Sequence, residues 1–587
     1  MKGLSQKRFL TELRGLLRDL SREEVEERLL AWARELRPEE RASFLDRFRR
    51  KGLRERGRSP KDLLREIQAF EARMRSYEYT VGWGWDAEIR EERAWGDESW
   101  AEEINEFLSG ARDLYDAGEY AGARDVYEAA LRVYEEGLEE GLLAGADPDA
   151  LLEADLDEEC ARYLRCVYLV TEAPARPEAL MDAWAAPFVR HGAMNLRAML
   201  EVDEAELPDW GAFGKEWIEY LDRMAPSGRV TEWTREAVRL FRGTEGLEEL
   251  ARSRGKDRPS YFIEWVDALR TEGRIQEAVD AAVLGLDTVP DGLRIRAELA
   301  ERLVACARTM GRESEVDRGL REALWAEPNL PRLVAYVERG ATFVDRQERL
   351  DRVADRFADL DRGARKAPVN GDPETRHGSV PPRLWPCVHL LRGDFEALAR
   401  ISWEAKPLGW HYGDNPASVA IPFLLYSCRG TARKRLPANL RQEWEDALFR
   451  VGAHWLGGWD PGGDRFEGEE EEAAGPGTDV PERFTRLAHE AIAAADAADA
   501  DLRRWLGVAE KAALKRVDTI VSNKKRGSYD KAAQLLAAVA EAYWTWGEPD
   551  EGERLLTRYW TKYSRFYAFR RELKAAVVRG PLKPAWV

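Results

Sequence analysis

The sequence predicts an all-α protein, an irregular helical-repeat solenoid with an N-terminal helical bundle. Three observations predict it. Apolar residues recur at three- and four-residue spacing through most of the chain, which gathers them on one face of a helix. A helix, a glycine turn and a second helix return five times. The 587 residues are 44% hydrophobic and 10% aromatic, enough to bury large cores and too apolar for a disordered chain, although 34% are charged.

Residues 1–50 are expected to form the bundle. Phe9, Leu10, Leu13, Leu16, Leu17 and Leu20, then Val25, Leu29, Leu30 and Trp32, keep helical spacing, and Ser21 with Glu24 makes a capping box. Residues 51–100 read as a basic linker and a Trp-rich junction. Nine basic residues fall between Arg47 and Arg65 among Gly52, Gly57 and Pro60, and Trp83, Trp85, Trp95 and Trp100 surround a Gly-containing turn. Helical repeats are expected over 101–361 and again over 384–456 and 483–587. Two segments rich in Gly, Pro and charge, 362–383 and the acidic 457–482, are expected to be mobile loops, the second marking a boundary.

In the first repeat Ala111 and Leu114 precede Gly118, and Tyr120, Ala123, Tyr127 and Ala130 follow. Small residues let two helices approach while larger ones fill the space beside them. The pattern returns at Phe262, Leu269, Gly273, Ile275, Ala278 and Ala282 with Pro290 beyond, and around Gly311, Leu320, Ala323 and Pro328. It returns again at Gly393 with Phe395, and at Ala540, Tyr543, Gly547 and Leu556. This pattern resembles the tetratricopeptide repeat. The resemblance implies stacked helix pairs with a concave surface lined mainly by first helices, and leaves the partner unnamed. The C-terminal helices are also similar to segments attached to bacterial SWIM zinc-finger proteins, but the C-x-C and C-x-H zinc pattern is absent, so no zinc role carries over.

Common catalytic patterns are missing: there is no P-loop, G-x-S-x-G elbow, H-E-x-x-H or dinucleotide fingerprint. With six histidines, the densest cluster is Cys387 and His389 with His411 and Asp414. Cys-x-His on a helix points its side chains about 200° apart, poor geometry for one metal ion. Cys160 and Cys166 read as buried structural cysteines. No catalytic residue, cofactor or metal is expected, and the chain is expected not to be an enzyme. Five scattered cysteines fit a reducing, cytoplasmic setting. The charged amphipathic N-terminus and the lack of any apolar run of about 18 residues predict neither a signal peptide nor a membrane span.

The net charge of −18 disfavours attraction of the whole molecule to polyanions. Eleven acidic and no basic residues lie between Val133 and Ala161, a field that would draw a basic partner or simply solvate a helix face. The leading expectation is a non-enzymatic adaptor or regulatory scaffold of a multicomponent bacterial system, recognising a protein partner through polar first-helix positions. These are Asn105, Arg112, Asp113, Asp116, Glu264, Asp267 and Arg270, joined by the junctional Trp83 and Trp85. One alternative is nucleic-acid contact through Arg47, Arg49, Arg50, Lys51 and Arg54 with Lys524, Lys525 and Arg526, the last three placed before a helix N-terminus. Another is control by cleavage or reordering of 457–482. Trp325, Trp403, Trp544 and Trp546 are expected to pack between helices; the oligomeric state is left open.

Overall fold

The computed structural model describes residues 58–587 apart from 81, 87–90, 96–97, 145–146, 226, 365–375, 411–413, 432–434 and 457–479, with isolated positions before residue 58. The expected bundle of residues 1–50 (those isolated positions aside), the basic positions Arg47, Arg49, Arg50, Lys51 and Arg54, and 457–479 of the acidic segment lie outside the described residues. The chain divides into two compact units, Met1–Gly246 and Leu247–Val587.

In the first unit, helix α1 (Pro60–Arg75) starts with proline in its first turn, and the Ser59 hydroxyl accepts from the Asp62 N–H. Both are helix-start signals. Leu63, Ile67, Phe70 and Met74 form its buried stripe. The junction that follows is extended. Strands β1 (Gly82–Asp86) and β2 (Glu91–Trp95) pair antiparallel, with Gly82 opposite Trp95 and Asp86 opposite Glu91. They are the exception to an otherwise helical architecture among the described residues.

Helices α2 (Trp100–Asp116) and α3 (Tyr120–Glu139) form the first repeat, and Ala111 and Ala123 are fully buried between them. Helix α1 seats beside the pair because Gly110 and Gly122 have no Cβ; one would stand 2.9 Å from Leu63 and 2.5 Å from Pro60. The unit continues through α4 (Leu156–Val170), α5 (Arg176–Trp184), α6 (Leu196–Glu201), α7 (Trp210–Arg223) and, as far as Gly246, α8 (Gly228–Arg254). A tryptophan cluster joins α5, α7 and α8: Trp184 lies 5.1 Å from Trp217 and 4.9 Å from Trp233. Helix α8 is broken at Gly243, whose φ of 63° is outside helical space, shortly before the division between the units.

The second unit holds α9 (Ser260–Thr271) with α10 (Ile275–Thr288), α11 (Arg296–Thr309) with α12 (Glu313–Ala326), α13 (Leu330–Val337) and α14 (Phe343–Ala364). It continues with α15 (Trp385–Leu391), α16 (Phe395–Glu404), α17 (Ala417–Ser427), α18 (Ala438–Leu456), α19 (Val480–Ala494), α20 (Asp499–Ser522), α21 (Tyr529–Thr545), α22 (Pro549–Lys562) and α23 (Tyr567–Arg579).

All five expected repeats are helix pairs joined by a three-residue turn with glycine at its centre: α2–α3, α9–α10, α11–α12, α15–α16 and α21–α22. Gly118, Gly273, Gly311, Gly393 and Gly547 have φ of 79°, 74°, 65°, 69° and 80°, left-handed values that glycine reaches without a Cβ clash. After each glycine the next N–H reaches back five residues: Glu119 to Leu114, Arg274 to Leu269, Arg312 to Ala307, Asp394 to His389 and Glu548 to Tyr543. That bond closes the first helix with a Schellman turn and aims the chain back along it.

Beyond α13 the stacking is no longer strictly sequential. Helix α19 packs on α13 and α15, and α20 packs on α16 and α17. Residues from Leu324 to Leu582 therefore share one core, and the expected boundary at 457–482 does not separate two blocks. The later part of the expected 362–383 loop is also held in place. Gly378 donates to Gly292, Arg294 donates to Arg376, and Val380 and Arg383 are buried. Gly378 sits so close to Ala326 that a Cβ would stand 2.0 Å from its carbonyl oxygen.

Candidate functional site

The polar first-helix positions are mostly engaged within their own unit. Asn105 Oδ1 accepts from the backbone N–H groups of Glu153 and Ala154 at 3.0 and 3.3 Å, tying the segment before α4 to α2. Arg112 pairs with the fully buried Glu159, which also accepts from Tyr127 at 2.7 Å and Arg162 at 2.8 Å. Asp267 takes Arg302 from the next pair on both oxygens, at 2.9 and 2.8 Å, and lies 3.3 Å from Arg270. Asp113 and Asp116 are exposed, and Glu264 is half-buried. Trp83 and Trp85 lie on β1.

Much of the acidic stretch meets arginine. Glu136 and Glu140 pair with Arg75, and Asp149 with Arg190. Lys524, Lys525 and Arg526 are exposed. Lys524 follows α20 with φ 54°, and a short 3-10 turn that begins at Arg526 leads into α21.

Of the Cys387 cluster, the structure describes Cys387, His389 and Asp414. Cys387 is fully buried on α15, and burial raises its thiol above the ordinary range. His389 stacks on Trp385 and stands 3.2 Å from Asp394; burial lowers its imidazole below the usual value. His411 lies outside the described residues, and among the described residues no group of three His, Cys, Asp or Glu could hold a metal ion.

Asp414 belongs to a different feature, an open groove. One cavity of 530 Å³ is lined by Ile401, Glu404, Ala405, Lys406, Leu408, Gly409, Asp414, Asn415 and Pro416. An adjoining one of 260 Å³ is lined by Asp361, Val380, Pro382, Trp385, Ile401 and Pro416. Ile401 and Pro416 line both.

The lining comes from the end of α16 and from the described residues 405–410 and 414–416 before α17. Asp394 caps α16 by accepting from the Ala397 N–H at 3.0 Å. Asn415 staples the segment, donating to the Lys406 and Leu408 carbonyls at 2.6 and 2.8 Å and accepting from the Ala417 N–H at 3.0 Å. Three guanidiniums pack around Trp410 and the start of α17. Arg516 lies 3.8 Å over the Trp410 ring and donates to the Pro407 carbonyl at 2.7 Å. Arg383 donates to the Trp410 carbonyl at 2.7 Å, and Arg450 donates to the Ser418 carbonyl at 2.9 Å.

Burial pushes Arg516 down to about 9 against the pull of Glu443, and neighbouring Arg450 lowers it further. Burial likewise raises Glu443, which accepts from Gln534 at 3.0 Å. Such a buried ionic network holds one geometry at a high desolvation cost.

No protein-family model matches the chain, and no curated protein matches it. Among solved structures, a chain of "Structure of Naa15/Naa10 bound to HypK-THB" aligns at 12% identity with a TM-score of 0.24, covering 87% of this chain and 70% of its own. A "Circular tandem repeat protein with novel repeat topology and enhanced subunit contact surfaces" aligns at 13% identity with a TM-score of 0.14, covering 89% and 97%. The helical-repeat architecture rests on the turns and packing described above. No helix among the described residues is long and apolar enough to cross a membrane.

The sequence singled out Asp414 as one member of a Cys/His cluster, and the structure also places it on the lining of a cavity. The groove's signal was the turn chemistry of Pro407, Gly409, Asn415 and Pro416 between two helices. Trp403, expected to pack between helices, is 54% exposed; it falls on the outer side of α16, away from Ile401.

Proposed function

We propose that the chain is a non-enzymatic adaptor or regulatory scaffold that binds a partner protein, with the groove beside α16 as its contact site. The observation that carries this reading is the stapled wall of that groove. A segment built of turn residues is held by Asn415, Arg383 and Arg516 around an open, largely apolar cleft. A preformed surface reduces the ordering cost of binding. Exposed Asp113 on α2 offers a further polar contact in the first unit.

The test is affinity capture of the tagged full chain from its host, washed at low and high salt, with the wild type beside a Glu404→Lys variant. A stoichiometric protein that survives high salt supports the adaptor reading. Recovery of nucleic acid alone, at low salt only, overturns it in favour of the basic clusters.

A further inference from the structure

We infer that the end of the second unit where α20 turns into α21 and α22 turns into α23 is a contact surface for an acidic segment of a partner protein; the inference rests on the adaptor reading above and not on the groove. The two turns lie side by side. Asp518 near the end of α20 accepts from Lys562 Nζ at 2.8 Å and from the Tyr563 hydroxyl at 2.7 Å, both at the end of α22. The Ser522 and Tyr563 hydroxyls are 3.3 Å apart, and the Tyr529 ring at the start of α21 lies 5.9 Å from that of Phe569 on α23.

Charge gathers there against the sign of the molecule. Residues 518–531 and 562–572 hold eight basic and three acidic residues in a chain of net charge −18. Two of the three are taken, Asp518 by Lys562 and Glu572 by Arg571, which leaves the exposed Asp530. Arg570 lies over the Trp560 ring at 3.7 Å. Lys524, Lys525, Arg526 and Arg565 are exposed, and their side chains make no ion pair or hydrogen bond with another described residue. Lys524 also fills, at φ 54°, the turn position that glycine holds in the five repeats, so the chain bears left-handed strain at the corner where it places this cation. Long, flexible cations without fixed partners suit several carboxylates on one segment better than a single fixed anion. A nucleic-acid duplex fits less well. It carries one charge per roughly 1.7 Å and extends past the two turns, toward a chain that is otherwise acidic.

The experiment is fluorescence polarisation of a labelled nonapeptide of alternating Glu and Ser against the intact chain at roughly 50 mM salt, where surface charges are weakly screened. A control peptide replaces Glu by Gln. The Glu peptide is expected to bind at least tenfold more tightly than the Gln peptide, and to lose at least fivefold when Lys525→Glu and Arg565→Glu are combined. Lys256→Glu, at an exposed lysine elsewhere in the second unit, should change it less than twofold. Lys524→Gly removes a charge and the strain together, so it should weaken the peptide at least twofold while raising the urea midpoint. A variant that folds better and binds worse separates recognition from folding.

No binding by the wild type, an unchanged affinity in the Lys525→Glu, Arg565→Glu double variant, or an equal loss in Lys256→Glu would overturn the inference. So would tighter binding of a six-base single strand of matching charge that the double variant weakens, in favour of nucleic acid. If a protein is captured at high salt yet the Glu peptide does not bind, the adaptor reading stands and this surface fails. If the Glu peptide binds through Lys525 and Arg565 and no protein is captured, the surface stands and the adaptor reading fails.

Discussion

At the scale of single residues, two positions hold a backbone or a charge where it is costly. Lys524 occupies the turn position that glycine fills in the five repeats, at φ 54°, and the Lys525 N–H reaches back to Ile520 at 3.0 Å. A side chain in left-handed space costs roughly 1–2 kcal/mol, offset in part by the greater freedom of glycine in the unfolded chain. Lys524→Gly should raise stability by about 1 kcal/mol, read from urea unfolding. Glu541 is buried among the Asn439 carboxamide, the Leu440 N–H and Arg579, and burial pushes it up to about 7 from 4.5. Below 4.5 both folded and unfolded forms are protonated. Between 4.5 and 7 the unfolded chain releases its proton first, so stability falls as pH rises and levels off above 7, by about 3 kcal/mol in all. Urea midpoints at pH 5 and pH 8 should differ less in Glu541→Gln than in the wild type. Neither position was legible in the sequence, because helical spacing places a residue on a face without showing what the next helix brings to it. Asp267 illustrates this: it falls on a first helix as expected, and Arg302 of the following pair occupies it.

At the scale of elements, the five helix pairs were legible because each depends on one local requirement, a residue able to turn left-handed two residues before the next helix begins. Glycines serve two separable ends here. At Gly273 a Cβ would meet open space, so Gly273→Ala is expected to cost only backbone strain, about 1 kcal/mol. At Gly214 a Cβ would stand 2.2 Å from the Phe241 ring, so Gly214→Ala must separate α7 from α8 and should cost about 3 kcal/mol. Parallel urea titrations compare the two. The β1–β2 hairpin was missed because each strand is five residues long and its Gly and Trp residues read as a broken helix junction. The 376–383 segment looked mobile because its Gly and Pro content is that of a loop, whereas Gly378 is there to let two backbones touch.

At the scale of the whole molecule, repeat matching cannot reveal that α19 and α20 return to pack on α13 and α15–α17, since that pairing joins segments far apart in sequence. Net charge was legible, and its consequence is testable. With −18 overall and arginines such as Arg58 and Arg75 tied to Glu66, Glu106 and Glu136, the chain should not retard a 20-base-pair duplex at 150 mM salt. Retention at that salt, in a gel-shift titration, would favour the basic clusters instead. The five cysteines carry a last consequence. Cys160 and Cys166 lie in the first unit and Cys306, Cys387 and Cys428 in the second; all are free and buried, and burial raises every thiol. Each is a clock wound into the fold, Cys160 and Cys166 sharing α4, and each ticks only when the helices around it open. Mass-resolved labelling with a thiol reagent at pH 8 should leave the native chain unmarked on the timescale that marks it fully in denaturant. The order in which the five are then lost with rising urea would chart how the array comes apart, with no engineered probe.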